Sequence, residues 1–457
     1  MATGVPRGFR SKSNLVPRKV ELSYPGKRSI DEILKTPPGV FEVISTEPEA
    51  RNQLYFADNL PALAQLAAQE RFLGQVKLVY IDPPYGTQTV FHSRKLAHAY
   101  EDVFDLAEYL EFLRARLAFL HHLLSEDGSI YVHIDEKMLF HVKLVLDEIF
   151  GPENYRNCIT RKKCNPKNYT RKTYGNVADY ILFYTKSDEY VWNRQVEAWT
   201  DERAKEYQYI EQETGRRYMK VPVHAPGTRN GETGKPWRGM LPPPGKHWQF
   251  TPSMLDELDR KGEIFWSKHG NPRRKVYLDE NPGISVQDIW MEFRDAHNQN
   301  IHVTGYPTEK NIDLVRRIIL ASSNPGDLVL DCFAGSGTTL VAADMLGRRF
   351  VGMDNSKESL RTILHRFALG TAPMGDFVER ANPDPRKPTN LSLFEREEAA
   401  DTHEVKNYSL AVEVEKLADG MDLLRQAPPP QNQPRWKTPM ALPKPNTVPT
   451  NGELPAS

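Results

Sequence analysis

The chain has only three cysteines, Cys158, Cys164 and Cys332, in 457 residues. They form no CxxC pair and no Cys/His cluster at ligand spacing, so no metal site is expected. So few thiols suit a reducing cytoplasm better than a secreted disulfide framework. No apolar run approaches the roughly 20 residues of a membrane helix, and the N-terminus lacks the apolar stretch of a secretory signal. Excess charge is absent too, since 60 Lys+Arg balance 60 Asp+Glu. A chain-wide field that would attract nucleic acid is therefore excluded, and any polyanion-binding surface must come from local charge segregation.

What is present is an alternation of short apolar runs with helical periodicity. Leu54-Tyr55-Phe56, Val76 to Ile81, Ser129 to Ile134, Tyr180 to Tyr184, Leu328 to Leu330 and Phe350 to Met353 read as strands. Between them, Leu60 to Ala67, Leu106 to Leu124, Lys137 to Phe150, Asp313 to Ser322 and Leu360 to Leu369 read as helices, with another running from Thr339 through Leu346. The expected class is α/β, a doubly wound Rossmann-like sheet. Gly86 to Tyr100 shows no periodicity and is read as a polar loop.

Two turns carry chemistry. Asp331-Cys332-Phe333-Ala334-Gly335-Ser336-Gly337-Thr338-Thr339 joins a strand to a helix and presents backbone amides at the sheet's carboxyl edge. No Lys follows Gly337, so it is not a nucleotide-triphosphate loop, and the third glycine of a dinucleotide fingerprint is missing. Asp354 ends the next strand, where it suits ribose hydroxyls, and Asp331 suits an ammonium group. The pair describes an adenosine-type cofactor without pyrophosphate. The second turn, Asp82-Pro83-Pro84-Tyr85, follows another buried strand. Its carboxylate and the Pro83 carbonyl can converge as acceptors on one amino group, and Tyr85 offers a face for a base.

These motifs, in this order, resemble bacterial site-specific DNA amino-methyltransferases of the permuted β group, including the Mod subunits of type III restriction-modification systems. The resemblance runs from about Leu54 to Leu369. It rests on Leu78 to Gly86, Ala57-Asp58-Asn59-Leu60, Val132-His133-Ile134-Asp135, Leu146 to Gly151, Gly305 to Lys310 and Asp331 to Thr339. It implies a methyltransferase sheet, S-adenosyl-L-methionine as cofactor and double-stranded DNA as partner. It implies N6 of adenine as target because the catalytic turn begins with Asp, where cytosine-N4 enzymes usually carry Ser. Asp82, Pro83, Pro84 and Tyr85 then become catalytic. Asp331, Phe333, Gly335, Gly337, Thr338, Asp354, Asp58 and Lys310 become cofactor-binding. Cys332 stands where the family often has Pro, and Glu309 and Asn311 replace the usual Gln and Pro. Cytosine-N4 methylation and a silent DNA-recognition subunit remain alternatives. No helicase or nuclease motif is visible, so cutting DNA would need a separate restriction subunit. The oligomeric state, a homodimer included, stays open.

Five segments are expected: a flexible basic arm (1–40), a catalytic half (41–155), an inserted DNA target-recognition region (156–300), a cofactor-binding half (301–370) and a largely disordered tail with a short helix (371–457). Arg161, Lys162, Lys163, Lys167, Arg171 and Lys172, with no acid among them, are the expected phosphate contacts. Trp237 and Trp266 lie among basic residues and suit DNA contact, whereas Trp248 and Trp290 are expected to fill cores. His133 is expected to be structural.

Overall fold

The computed structural model describes residues 20–46, 50–84, 90–92, 98–101, 105–165, 172–197, 205–280, 283–294, 302–373, 405 and 407–428. Ten strands form one sheet: β1 (Phe41–Thr46), β2 (Asn52–Phe56), β3 (Val76–Ile81), β4 (Leu124–Ile134), β5 (Tyr155–Lys162), β6 (Ala178–Thr185), β7 (Ile289–Trp290), β8 (Leu328–Asp331), β9 (Arg349–Asp354) and β10 (Tyr408–Glu413). Their order is β1-β10-β2-β9-β8-β3-β4-β6-β5-β7. The strands from β10 through β4 run parallel, while β1 pairs antiparallel with β10, and β6 antiparallel with both β4 and β5; β7 is parallel to β5. The parallel strands are nearly free of exposed residues, as expected where helices cover both faces.

Outside the segment Arg194–Val286, the described helices are α1 (Ile30–Leu34), α2 (Asn59–Ala67), α3 (Leu106–Leu123), α4 (Leu139–Phe150), α5 (Ile312–Ser322), α6 (Thr338–Met345), α7 (Lys357–Leu369) and α8 (Leu417–Gln426). From β3 the chain passes through α3 to β4 on one side. From β8 it passes through α6 to β9 on the other. The adjacent pair β8 and β3 is therefore the topological switch point, where an open parallel sheet leaves a crevice at its carboxyl edge. Five acids sit at that edge: Asp58 beyond β2, Asp82 beyond β3, Asp135 beyond β4, and Asp331 and Asp354 at the ends of β8 and β9. Among the described residues no helix is long and apolar enough to cross a membrane, and no group of three or more His, Cys, Asp and Glu is arranged to hold a metal.

Several boundaries differ from the expectation. β5 and β6, placed with the insertion at 156–300, are members of the main sheet. The separate compact unit is Arg194–Val286. Part of the 371–457 tail is also sheet: β10 inserts between β1 and β2, with Leu410 and Val412 fully buried. Its apolar run, Leu410-Ala411-Val412, is too short to stand out between charged and Pro-rich flanks. Residues 20–40 are fixed to the body, with Lys27 paired to Glu148 at 2.8 Å and Arg28 to Glu111 at 3.0 Å. Within Gly86 to Tyr100, the backbone of Val90–His92 pairs with His98–Glu101 as a hairpin.

The Arg194–Val286 unit has a four-stranded antiparallel sheet and a core of Val223, Trp237, Trp248, Leu255 and Ile264. Trp248 is buried as expected. Trp237 is more buried still, at 1% exposure, so it is a core residue and not a DNA contact. Its indole stacks on Trp266, with ring centroids 5.3 Å apart.

Candidate active site

The glycine loop owes its shape to two residues in the left-handed region, Gly335 (φ 51°) and Gly337 (φ 76°). A Cβ on Gly337 would meet Ile363 Cγ1 at 3.0 Å, so α7 also packs against this point. The loop closes on both acids. Phe333 N donates to Asp331 Oδ1 at 2.9 Å, and Gly335 N donates to Asp354 Oδ2 at 2.9 Å. Ser356 N donates to Asp354 Oδ1, also at 2.9 Å.

Across the crevice, Asp82, Pro83 and Pro84 follow β3 and line the same pocket as Asp331, Phe333, Gly335, Thr338 and Asp354. Tyr85 lies outside the described residues. Lys310, expected among the cofactor contacts, lines the same pocket and places Nζ 2.6 Å from Asp82 Oδ2. Its loop contains Thr308 at φ 64°, a strained conformation for a β-branched residue.

The departures Glu309 and Asn311 have structural explanations. Glu309 Oε2 accepts from Thr304 N at 2.8 Å. Its other oxygen faces buried Arg366 at 3.3 Å, and Arg366 Nη1 also donates to Thr338 Oγ1 at 2.8 Å. Asn311 is the N-cap of α5 and accepts from Asp313 N at 2.8 Å. An acid at 309 thus serves a local arginine, and an asparagine at 311 starts a helix.

Asp58 caps α2 by accepting from Leu60 N at 2.9 Å, and it accepts from Arg116 Nη2 at 2.9 Å. Arg116 and Phe112, both on α3, line the pocket and were missed by the sequence reading. The available signal was an arginine at helical spacing from Leu113 and Leu120, on the apolar face of α3, which needs a buried partner. Arg116 finds the side chain of Asn59, which in turn donates to Cys332 O at 2.6 Å.

Asp58, Asp82, Glu309, Asp331 and Asp354 supply five carboxylates to the lining, against the two cations Arg116 and Lys310. Burial raises the Asp331 carboxyl to about 7, aided by the charges of Asp82 and Asp354 and opposed by hydrogen bonds from Thr339 and Phe333 N. Burial also raises Asp354 above the usual carboxylate range, against hydrogen bonds from Ser356 and Gly335. A pocket this rich in crowded carboxylates is complementary to a small organic cation. S-adenosylmethionine, with its sulfonium and ammonium groups, fits that charge and the adenosine-type loop.

Among the described residues, two of the expected phosphate contacts are engaged by Asp179. Arg161 is fully buried, donates from Nε to Phe293 O at 2.7 Å and faces Asp179 at 3.3 Å. Strand alternation on β5 turns it inward, so the sequence expectation for Arg161 is corrected. Lys163 also pairs with Asp179, at 2.9 Å. Lys162 is half-buried and Lys172 exposed, while Lys167 and Arg171 lie outside the described residues.

A family model described as DNA methylase, for N6 and N4 enzymes, matches residues 76–365. Type II methyltransferase M.EcaI of Enterobacter cloacae is 46% identical over 402 residues, spanning 86% of this chain and 87% of that one. The StyLTI Mod subunit of a type III restriction-modification enzyme from Salmonella typhimurium is 24% identical, over 69% of this chain and 52% of its own. The crystal structure of M1.HpyAVI with SAM aligns over 69% of this chain and 99% of that one, at 17% identity and a TM-score of 0.34. The match over most of the sheet and the 46% identity over nearly the whole chain place this protein in the N6/N4 DNA methylase family, as an S-adenosylmethionine-dependent DNA methyltransferase.

Proposed function

We propose that the methyl group goes to N6 of an adenine flipped out of double-stranded DNA, and that Asp82-Pro83-Pro84-Tyr85 receives that base. The observation carrying this reading is the position of Asp82. It follows β3 at the switch point, in one pocket with Asp331 and Asp354. An exocyclic amine is a poor nucleophile because its lone pair is delocalised into the ring. Acceptors on its N–H bonds favour a pyramidal nitrogen and a localised lone pair. The Asp82 carboxylate and the Pro83 carbonyl supply two such acceptors. The carboxylate charge also favours the positive charge that develops on nitrogen during transfer.

Prolines at 83 and 84 contribute no backbone donors that would compete for these acceptors. Tyr85 supplies a stacking face for the flipped base. When bound, the cofactor supplies an electrophilic methyl group. Asp331 holds its ammonium, Asp354 its ribose, and Asp58, Phe333, Gly335, Gly337 and Thr338 the remaining surface. Lys310 is read as the counter-ion that orients Asp82, replacing the cofactor role expected from sequence. Asp at the head of the turn favours adenine over cytosine. Lys162, Lys163, Lys167, Arg171 and Lys172 remain assigned to phosphates, and Arg194–Val286 to target recognition.

The test is incubation of the full chain with unmethylated DNA and methyl-labelled S-adenosylmethionine, followed by digestion to nucleosides. The expected product is N6-methyladenine. N4-methylcytosine, or no labelled nucleoside despite cofactor binding, would overturn the reading.

A further inference from the structure

Behind the catalytic turn lies a buried polar row that the methyl-transfer scheme does not use. Tyr80 and Asp82 are two residues apart, so strand alternation sets them on one face. Tyr80 lines the pocket with Asp82. Ile81 is in register with Val132, which brings His133 of β4 level with Asp82. The Tyr80 hydroxyl lies 2.9 Å from His133 Nδ1, and His133 Nε2 lies 3.5 Å from Asp179 Oδ2 on β6. Asp179 is held in turn by Arg161 of β5 at 3.3 Å and by Lys163, just beyond β5, at 2.9 Å. His133 is completely buried. With Nε2 facing a carboxylate, the proton belongs on that nitrogen, and Nδ1 accepts from the Tyr80 hydroxyl.

We propose that Tyr80, His133 and Asp179 form a proton-accepting relay for the transfer reaction, with Tyr80 the group that meets the target amine. The proposal rests on the methylation reading given above. As the nitrogen lone pair forms the N–CH3 bond, the carbon–sulfur bond breaks and its electron pair stays on sulfur. The methylated nitrogen then carries a positive charge without ring delocalisation, which makes it a far stronger acid than imidazolium. One N–H stays with Asp82, and the other, released from the Pro83 carbonyl, gives its proton to the Tyr80 oxygen while the Tyr80 proton passes to His133 Nδ1. The resulting imidazolium is paired with Asp179, and the proton returns through Tyr80 to solvent after the product leaves.

The surroundings suit this role. Burial holds neutral His133 below its ordinary pKa, assisted by Lys310 and opposed by Asp179 and Asp82. The groups facing His133 are therefore Tyr80 and Asp82 from the β3 side, Asp179 from β6 with Arg161 and Lys163 behind it, and Lys310 from the loop before α5. The Asp179 carboxyl lies well below the usual range because the His133 Nε2–H facing it and the charges of Lys310 and Lys163 outweigh its burial. It therefore stays ionised to stabilise a charged His133. Asp179 lies about a hundred residues beyond the catalytic turn, which hides the row from local sequence patterns.

The experiment is single-turnover methyl transfer by the full chain on unmethylated duplex, in H2O and in D2O, across pH. Wild type should show a solvent isotope effect and a rate that falls at acid pH as His133 becomes protonated. Tyr80→Phe should slow transfer at least about tenfold, within the usual range for general acid–base groups, and lose the isotope effect while cofactor affinity is unchanged. His133→Asn should lose the acid limb; it decides the matter if Tyr80→Phe fails to fold. Wild-type rate, isotope effect and pH profile in either variant would overturn the relay alone. Absence of transfer by the wild type would overturn the methylation reading and the relay with it.

Discussion

Lys310 Nζ stands 2.6 Å from Asp82 Oδ2, an ammonium resting on the carboxylate assigned to the target amine. The two residues come from different loops at the switch point. Their pairing keeps a negative charge poised inside a pocket already crowded with acids. On the proposed methylation reading, a substrate amine shares or displaces this partner, and the ion pair lies on the path to base binding.

Asp82→Ala removes the acceptor but not the cofactor cradle. Transfer should fall by about 10²–10³-fold, the usual effect of losing one preorganised electrostatic contact in a site. Cofactor affinity, measured by calorimetry, should stay close to that of the wild type. Unchanged turnover would refute the assigned role. Lys310→Met leaves Asp82 without its cation and should lower stability by about 1–3 kcal/mol, less than for a sealed pair because the pocket is open.

The Asp331 carboxyl, raised to about 7, makes a pH prediction with a defined sign. Its folded pKa exceeds the ordinary value, so between about pH 4 and 7 the folded state binds more protons than the unfolded state. Stability of the cofactor-free protein should therefore decline as pH rises through that window. Asp331→Asn should flatten the decline. Cofactor binding favours the ionised carboxylate, so affinity should increase from pH 6 to pH 8 with proton release on binding. Calorimetry in buffers of different ionisation enthalpy measures that release.

Glu309 and Arg366 form a buried pair beside the glycine loop, 3.3 Å apart. Arg366→Leu strands the acid and should cost about 3–5 kcal/mol in urea unfolding. Glu309→Gln keeps one acceptor, for Thr304, turns its amide NH2 toward Arg366, and should cost less, about 1–3 kcal/mol. Equal losses for the two variants would contradict the pairing argument.

Arg161 and Lys172 should separate folding from DNA binding. Lys172 is exposed, so Lys172→Ala should weaken binding to all sequences alike and reduce the salt slope by about one. Arg161→Ala should chiefly destabilise the fold through Asp179 and Phe293, as seen by thermal melting. A reduced salt slope with an unchanged melting temperature in Arg161→Ala would restore it as a phosphate contact.

The strands that position the site were legible because each is a short apolar run ending in an acid. Val76 to Ile81 and Leu328 to Leu330 need no partner to be read as buried. The regions misread have ambiguous local patterns. Tyr408 to Glu413 is brief and lies between charged segments, yet it becomes an interior strand, next to the edge, because β1 and β2 leave a place for it. The cluster around Arg161 looks uniformly basic along the chain, but β5 alternates its faces and sends every second side chain inward. Arg116 was hidden by the apolar periodicity of α3, although a buried arginine in such a helix is itself a sign of a polar partner.

The sequence by itself determined the alternation of strands and helices, the two chemical turns and their order, and with them the family. These depend on local spacing and on the residue types that end each strand. Only the tertiary structure decided that Lys310 meets Asp82, that Glu309 meets Arg366, that Arg161 is buried, and that Tyr80, His133 and Asp179 form one row. Those outcomes depend on strand order and register across the sheet. Register is set by packing between segments far apart in the chain, and periodicity within one segment does not encode it.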